Sequence, residues 1–415
     1  MTALQPPRGR HPLLSAPVRH RLARGTRWHP GTRDVRLSHL LLGGQNGMTG
    51  HQFATAMMDP LWPSRRVVEG PHAELIERGP GQSDRDILGS TYARMARTCI
   101  RHTGQYFAAV DDQGIVTHAR QVLARAAGEP VEVPTGAMHS PPGQPVLVVQ
   151  IADSSCYQVL DGHHRIALAA ATGRATVPVR VRRGKVTTPL QDLLHEMSWL
   201  EGGRELYQPV DSPELAALWP IVRCCVDRLE AMESFLHPRG LLEGSYLDVA
   251  SCYGWFVGQM AQRGMAAQGI ERDPLGATLG RLVYGVDPDR IRIGDVVDVL
   301  RGTREQWDVV SCFSLLHHFV LGRGACDEVE LIRLLDKSTR RVLFFDTGQE
   351  HERWFQKSLR GWNPEHIREF LLTHTTFDQV LDLGPDRDAV GPYAENYGRH
   401  LFVCTRTGAD GRGAR

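Results

Sequence analysis

From Ser245 to Thr405, short apolar runs alternate with amphipathic stretches. The runs are Tyr246–Val249, Ala266–Ile270, Ile291–Ile293, Trp307–Phe313, Arg341–Phe345, Gln379–Leu383 and His400–Thr405, with helical patterns between most of them. This alternation predicts an α/β unit with a mainly parallel sheet and helices on both faces. A second pattern lies earlier in the chain. Tyr92, Met95, Ala96, Cys99 and Ile100 fall at helix-face spacing within Ser90–Thr103, and Val146–Ile151 reads as a buried, β-branched-rich strand. There follow a strand Tyr157–Leu160, a turn at Asp161-Gly162, an Ala-rich helix His164–Thr172 closed by Gly173, and a strand Val177–Val181. Glu129–Pro145, with five prolines and two glycines, is expected to be a loop. Two amphipathic helical stretches between Thr187 and His237, split by Gly202-Gly203, Pro209 and Pro213, are expected to connect the two units.

The 415 residues, 41% hydrophobic and 23% charged, are enough for two cores. The expected division is a flexible Arg-rich tail at 1–34, a smaller α+β domain at 35–186, a helical connector at 187–239, an α/β domain at 240–406 and a flexible tail at 407–415. No apolar run approaches the roughly 18 residues needed to span a bilayer, so no membrane partner is expected. The eight cysteines form no CxxC pair, and several sit in strand-like apolar runs, as expected of free thiols in a reducing cytoplasm. A net charge of +1 argues against nucleic acid as a partner. Only the first 33 residues are strongly basic, with Arg8, Arg10, Arg19, Arg21, Arg24, Arg27 and Arg33 before the first acid, Asp34. Pro6, Pro7 and Pro12 interrupt a transit-peptide helix there, which favours a flexible tail.

Candidate chemistry gathers at predicted strand ends, where open α/β sheets bind ligands. The first strand runs into Asp248-Val249-Ala250-Ser251-Cys252-Tyr253-Gly254, an acid followed by small residues and a glycine opening a helix. The second ends at Gly269-Ile270-Glu271, 23 positions after Asp248, where a carboxylate can accept from ribose hydroxyls. The third ends at Gly294-Asp295, and the fourth leads through Ser311-Cys312-Phe313-Ser314-Leu315-Leu316 to His317-His318. In this order the four segments resemble those of class I S-adenosylmethionine-dependent methyltransferases. The usual first motif is acid-x-Gly-x-Gly-x-Gly; here Ala250 and Cys252 replace the first two glycines and Gly254 keeps the last. The resemblance implies a Rossmann-like doubly wound sheet of seven strands with the last antiparallel. It also implies S-adenosylmethionine as cofactor, held by Asp248, Ala250, Ser251, Gly254, Glu271, Asp295, Val296 and Ser314. Two rivals stand beside it: a nicotinamide enzyme, which needs the Gly-x-Gly turn that Ala250 and Cys252 occupy, and a degenerate fold that binds nothing.

For an acceptor that must lose a proton, a histidine is a suitable base. His317 and His318 are the candidates, and their side chains diverge by roughly 100° on a helix, which favours one of them, His317. Asp346 reads as a substrate contact or a helix cap, and Tyr253, Trp255, Trp354, Trp362 and Tyr397 as pocket walls or core. Glu350-His351-Glu352 lacks zinc-ligand spacing, so no metal is expected. The Leu-Leu-His-His form resembles enzymes that methylate small molecules or sugars. Ser140-Pro141-Pro142-Gly143 is the nearest match to the motif of base-directed amino-methyltransferases, and it falls in the other unit.

In that unit, Tyr157–Ala170 followed by Gly173 and Val177–Val181 resembles the ParB-like signature over about 40 residues, Val146 to Arg183. The resemblance implies a phosphate or nucleotide site at Asp161, Gly162, His163, His164 and Arg165, with backbone N–H groups and the helix start facing the anion and Arg165 neutralising it. Three roles stay open: a phosphate or nucleotide-sugar binder, a structural or substrate-delivering domain, and a nucleotide-using enzyme. The sequence thus reads as a methyltransferase of a small, phosphorylated or nucleotide-linked acceptor, in polysaccharide or secondary-metabolite biosynthesis. The alternative is a nucleic-acid-binding ParB-like regulator or a nucleic-acid methyltransferase.

Overall fold

The computed structural model describes residues 31–129, 144–197, 204–387 and 398–406. Tyr397 and Ser140–Gly143 lie outside them. The N-terminal unit comprises β1 (Thr32–Arg36), β2 (Leu40–Leu41), α1 (Gly50–Met57), α2 (Pro71–Glu77), α3 (Asp84–Leu88), α4 (Thr91–Thr103), α5 (Asp112–Ala126), β3 (Val146–Ile151), β4 (Tyr157–Asp161), α6 (His163–Ala171) and β5 (Thr176–Val186). Its sheet has the order β1-β5-β3-β4-β2. Thr32–Asp34, expected in a tail, instead pair antiparallel with Pro178–Arg180 at the sheet edge. That polar strand has no apolar period of its own and is ordered by β5, which runs five residues beyond the predicted Val181. The helices bury Phe53, Trp62, Tyr92, Met95 and Ile115 against Val146, Val148 and Val179. Each such side chain contributes about 1.5–3 kcal/mol by leaving water.

Helix α7 (Pro189–Glu196) opens on a capping box, with Thr188 and Gln191 satisfying each other's backbone N–H groups. It belongs to an apolar cluster with Leu206, Val210, Leu215 and Trp219. Of the two connector helices expected, the second, α8 (Val226–Leu236), sits in the core of the C-terminal sheet, its Leu229, Met232 and Phe235 clustering with Tyr246, Val309 and Phe344.

The C-terminal unit continues with β6 (Ser245–Val249), α9 (Trp255–Gln262), β7 (Ala266–Glu271), α10 (Pro274–Tyr284), β8 (Ile291–Ile293), α11 (Val296–Gly302), β9 (Trp307–Cys312), α12 (Leu316–Val320), α13 (Glu328–Ser338), β10 (Thr339–Phe345), α14 (Pro364–His374), β11 (Gln379–Pro385) and β12 (His400–Thr405). Its seven strands have the order β11-β12-β10-β9-β6-β7-β8, and β12 is antiparallel to both its neighbours. Alternate residues feed the two faces. Leu247, Val310 and Leu343 pack against α11, α13 and α14, while Tyr246, Val309 and Val342 pack against α8 and α9. After β8 the chain returns to the other side of β6 to form β9. This reversal opens a crevice beyond the carboxyl ends of β6 and β9, where doubly wound sheets bind ligands.

Candidate functional site

The loop 250–254 leaves β6 in a conformation that L-residues avoid. Ala250, Cys252 and Gly254 have φ of 59°, 56° and 76°, so the three positions where the resembled motif carries glycine all take the left-handed backbone, two of them without glycine. The loop is held from across the crevice. A Cβ on Gly276 would lie 2.5 Å from the Cys252 carbonyl oxygen, and one on Gly280 2.1 Å from that of Tyr253. Helix α10 therefore presses its backbone on the loop through two glycines one turn apart. A Cβ on Gly269 would likewise meet Ser251 Oγ at 2.7 Å.

Glu271 faces this loop from the end of β7. Its Oε2 accepts from the Cys252 N–H at 2.7 Å, and its Oε1 accepts from the Arg272 and Asp273 N–H groups at 2.8 and 2.9 Å. Burial raises its pKa, and these donors offset part of the rise. Asp248, at the end of β6, is buried, and its Oδ1 accepts from Ser311 Oγ at 2.7 Å. Burial, with the Glu271 charge adding to it, pushes its carboxyl up to about 7. Asp248 Oδ2 and Ser251 Oγ are buried with no hydrogen-bond partner among the described residues. Asp295 caps α11 through its bond from the Val297 N–H at 2.9 Å, and Val296 is core.

Connector residues complete the loop. Gln208 is buried, accepts from the N–H groups of Tyr253 and Trp255 at 3.1 and 3.2 Å, and donates to the Ser251 carbonyl at 3.3 Å. It caps the start of α9, where Gly254 offers no side chain. Nothing local in the sequence marks Gln208, because its partners lie 45 residues away.

On the far side of the crevice, Ser314, with φ 57°, receives Arg399 Nη1 at 2.7 Å and Arg223 Nη1 at 3.1 Å. Arg399 makes a two-pronged bond to Glu352 at 2.8 Å on each oxygen, Arg223 pairs with Asp386 at 2.6 Å, and Arg228 with Asp346 at 2.6 Å. All six groups are buried. Burial alone would raise Asp346, but Arg228, Arg223 and Arg399 hold it well below the usual carboxylate range. Asp346 therefore neither caps a helix nor stands free for a substrate. It anchors two arginines and the Ser314 N–H, at 2.8 Å.

His317 Nδ1 accepts from the Gly348 N–H at 3.2 Å. Burial, then the charge of Arg399, drives its pKa down to about 2. A neutral ring that accepts at Nδ1 carries its proton on Nε2, facing away from Gly348. His318 is less buried, its ring centroid 4.3 Å from that of His317. Its pKa is lowered by burial and by Arg323, Arg399 and Arg272. Tyr253 and Trp255 belong to apolar clusters, Trp362 packs at the edge of one, and Trp354 is exposed.

In the N-terminal unit, Asp161–Arg165 are together at the start of α6. Arg165 is paired with Asp161 at 2.5 Å and donates to the Gln144 and Pro145 carbonyls. Gly162 takes φ 110°. His163 is buried and its Nε2 accepts from the Gly43 N–H at 3.2 Å, while His164 Nε2 is 2.8 Å from the Tyr92 hydroxyl. His72, fully buried, stacks on His163 at 5.2 Å, and neither of its ring nitrogens has a hydrogen-bond partner among the described residues. Among the described residues no group of three or more His, Cys, Asp or Glu side chains is placed to hold a metal, and no helix is long and apolar enough to cross a membrane.

Solved structures similar to this chain include S-adenosylmethionine-dependent methyltransferases, over about half its length. WbdD, described as a bifunctional kinase-methyltransferase, aligns at 20% identity and TM-score 0.41, covering 52% of this chain and 46% of WbdD. A SAM-dependent methyltransferase from Archaeoglobus fulgidus aligns at 12% identity and TM-score 0.32, covering 43% of this chain and 94% of that one. Magnesium protoporphyrin IX methyltransferase from Synechocystis PCC 6803, with bound SAM, aligns at 16% and 0.33, covering 44% and 79%. This chain thus spans just under half the length of WbdD. No family model and no curated protein sequence matches the chain.

Proposed function

We propose that the C-terminal unit is an S-adenosylmethionine-dependent methyltransferase of a small-molecule or sugar- or nucleotide-linked acceptor. The observation that carries this reading is the loop 250–254. Its glycine-like backbone is clamped by α10 beside the Glu271 carboxylate, at the reversal point of a sheet whose last strand is antiparallel. The cofactor, when bound, supplies a methyl group activated by its sulfonium. The orphaned Asp248 Oδ2 and Ser251 Oγ, the Glu271 carboxylate and the Asp295 turn fit its nucleoside and would hold it. His317, donor at Nε2, orients the acceptor, and His318, kept neutral at physiological pH, takes the acceptor's proton. The arginine and carboxylate pairs around Ser314 fix this wall rigidly while adding no net charge.

For the N-terminal unit we propose a ParB-like role, in which the start of α6 receives the phosphate of the acceptor and Arg165 exchanges Asp161 for it. The test is calorimetry with S-adenosylmethionine. Binding is expected in the wild type and at least about tenfold weaker in Glu271→Ala; no heat in the wild type refutes the reading. Arg165→Ala is expected to raise the acceptor KM and leave cofactor affinity intact.

A second reading, nucleic-acid binding, draws on an exposed basic row at the edge of the N-terminal sheet. Arg36, Arg180, Arg182, Arg183 and Lys185 make no ion pair among the described residues. It requires a gel shift with DNA or RNA that weakens steeply between about 50 and about 200 mM salt.

A further inference from the structure

Two side chains just after β10 carry polar atoms with no hydrogen-bond partner among the described residues. Thr347 and Gln349 are both 0% exposed. Thr347 Oγ1 and both Gln349 side-chain atoms, Nε2 and Oε1, have no hydrogen-bond partner among the described residues. Buried polar atoms in native proteins are paired with few exceptions, and a cluster of exceptions beside a catalytic candidate points to a ligand.

Their position is specific. Gly348, between them, donates to His317 Nδ1, and a Cβ there would lie 2.6 Å from the Phe355 ring and 3.0 Å from that of His317. Thr347 and Gln349 thus flank the contact that sets the His317 proton. The ionic groups of the same wall are already matched: Arg399 with Glu352, Arg223 with Asp386, Arg228 with Asp346. What is left unmatched is neutral, a hydroxyl and an amide, each both donor and acceptor.

We propose that Thr347 and Gln349 bind the methyl acceptor and that the moiety they receive is an uncharged, hydroxyl-bearing one of the sugar-ring type. A hydroxyl donates and accepts, so it can satisfy both ends of the Gln349 amide. A phosphate or carboxylate only accepts and would leave Gln349 Oε1 unmatched, and an aromatic ring would leave all three atoms unmatched. Phe355, whose ring centroid lies 4.9 Å from that of His317, packs on the same wall. The proposal rests on the methyl-transfer reading of the crevice.

The test uses the full chain with Thr347→Val and Gln349→Met, apolar replacements of similar shape. If the atoms are idle in the free protein, both variants keep or gain thermal stability; a fall in Tm of more than about 4 °C in either shows a structural hydrogen bond and overturns the proposal. With S-adenosylhomocysteine present, thermal shifts are then read for the methyl glycosides of glucose, mannose and galactose, for pyrophosphate and for toluene, an aromatic ring with no hydroxyl. At least one glycoside is expected to stabilise the wild type, with apparent affinity about tenfold or more lower in each variant. Absence of any glycoside shift in the wild type, glycoside shifts retained in both variants, or variant-sensitive shifts with only pyrophosphate or toluene would overturn it. Calorimetry with S-adenosylhomocysteine separates the two levels. If the wild type does not bind it, the methyl-transfer reading itself falls; if it binds and the glycoside result fails, only the acceptor assignment falls.

Discussion

Lowering the pH from about 7.5 to about 5 is expected to weaken the N-terminal unit through two imidazoles that the fold keeps neutral. His72 is fully buried, and burial, with the nearby His164, His163 and His118 adding to it, pushes its pKa well below the ordinary 6.5. His163 is pushed down to about 3 by burial and then by Arg165. Well above pH 6.5 both rings are neutral folded and unfolded, and neither makes stability depend on pH. Below it the unfolded chain takes up protons that the folded unit refuses, so stability falls as pH falls, and goes on falling down to the folded pKa. At pH about 5 the loss is about 2 kcal/mol for His163, at about 1.4 kcal/mol per pH unit, and His72 adds to it in the same direction. Against a typical 5–15 kcal/mol for a native protein, that is a large fraction. The assay is urea unfolding of the wild type and of His72→Leu at both pH values. The substitution removes a titrating ring whose nitrogens hold no bond, and every other group cancels in the comparison. The wild type is expected to lose more stability than the variant on going from pH about 7.5 to about 5. Equal losses, within about 0.5 kcal/mol, would refute the argument that His72 is buried neutral.

Gly280→Ala places a Cβ 2.1 Å from the Tyr253 carbonyl and should push the loop 250–254 off α10; calorimetry should show cofactor affinity down about tenfold or more, where an ordinary helical Gly→Ala change would stabilise by up to about 1 kcal/mol. Gln208→Leu leaves the Tyr253 and Trp255 N–H groups buried without their acceptor; urea unfolding should show a loss of about 1–3 kcal/mol, accompanied by weaker cofactor binding. Arg399→Met strands the Glu352 carboxylate, at 0% exposure, without its cation. A stability loss of about 3–5 kcal/mol is expected in the same assay, largely recovered by the double change Arg399→Met with Glu352→Gln.

Hydrophobic periodicity by itself determined the alternating elements of the C-terminal unit. Ile291–Ile293 and His400–Thr405 have the same limits in sequence and structure, and the other strands differ at their ends by one or two residues. That legibility is physical: a strand buried on both faces must be apolar throughout, and a helix packed on it must be amphipathic. The acid at Glu271 was legible too, because its place at a strand tip follows from counting along the chain.

Tertiary structure decided the rest. Ala250 and Cys252 do not announce a left-handed backbone; they take it because α10, more than 20 residues on, presses Gly276 and Gly280 against the loop carbonyls. β1 is polar and becomes a strand only because β5 offers it an edge. The hydrogen bond that His317 Nδ1 accepts comes from the Gly348 N–H, 31 positions away. Gln208, Arg223 and Arg399 meet partners 45 to 163 positions away, and such pairings leave no local period to read. Periodicity records which face a residue buries; a hydrogen-bond partner is set by where two distant segments come to rest together.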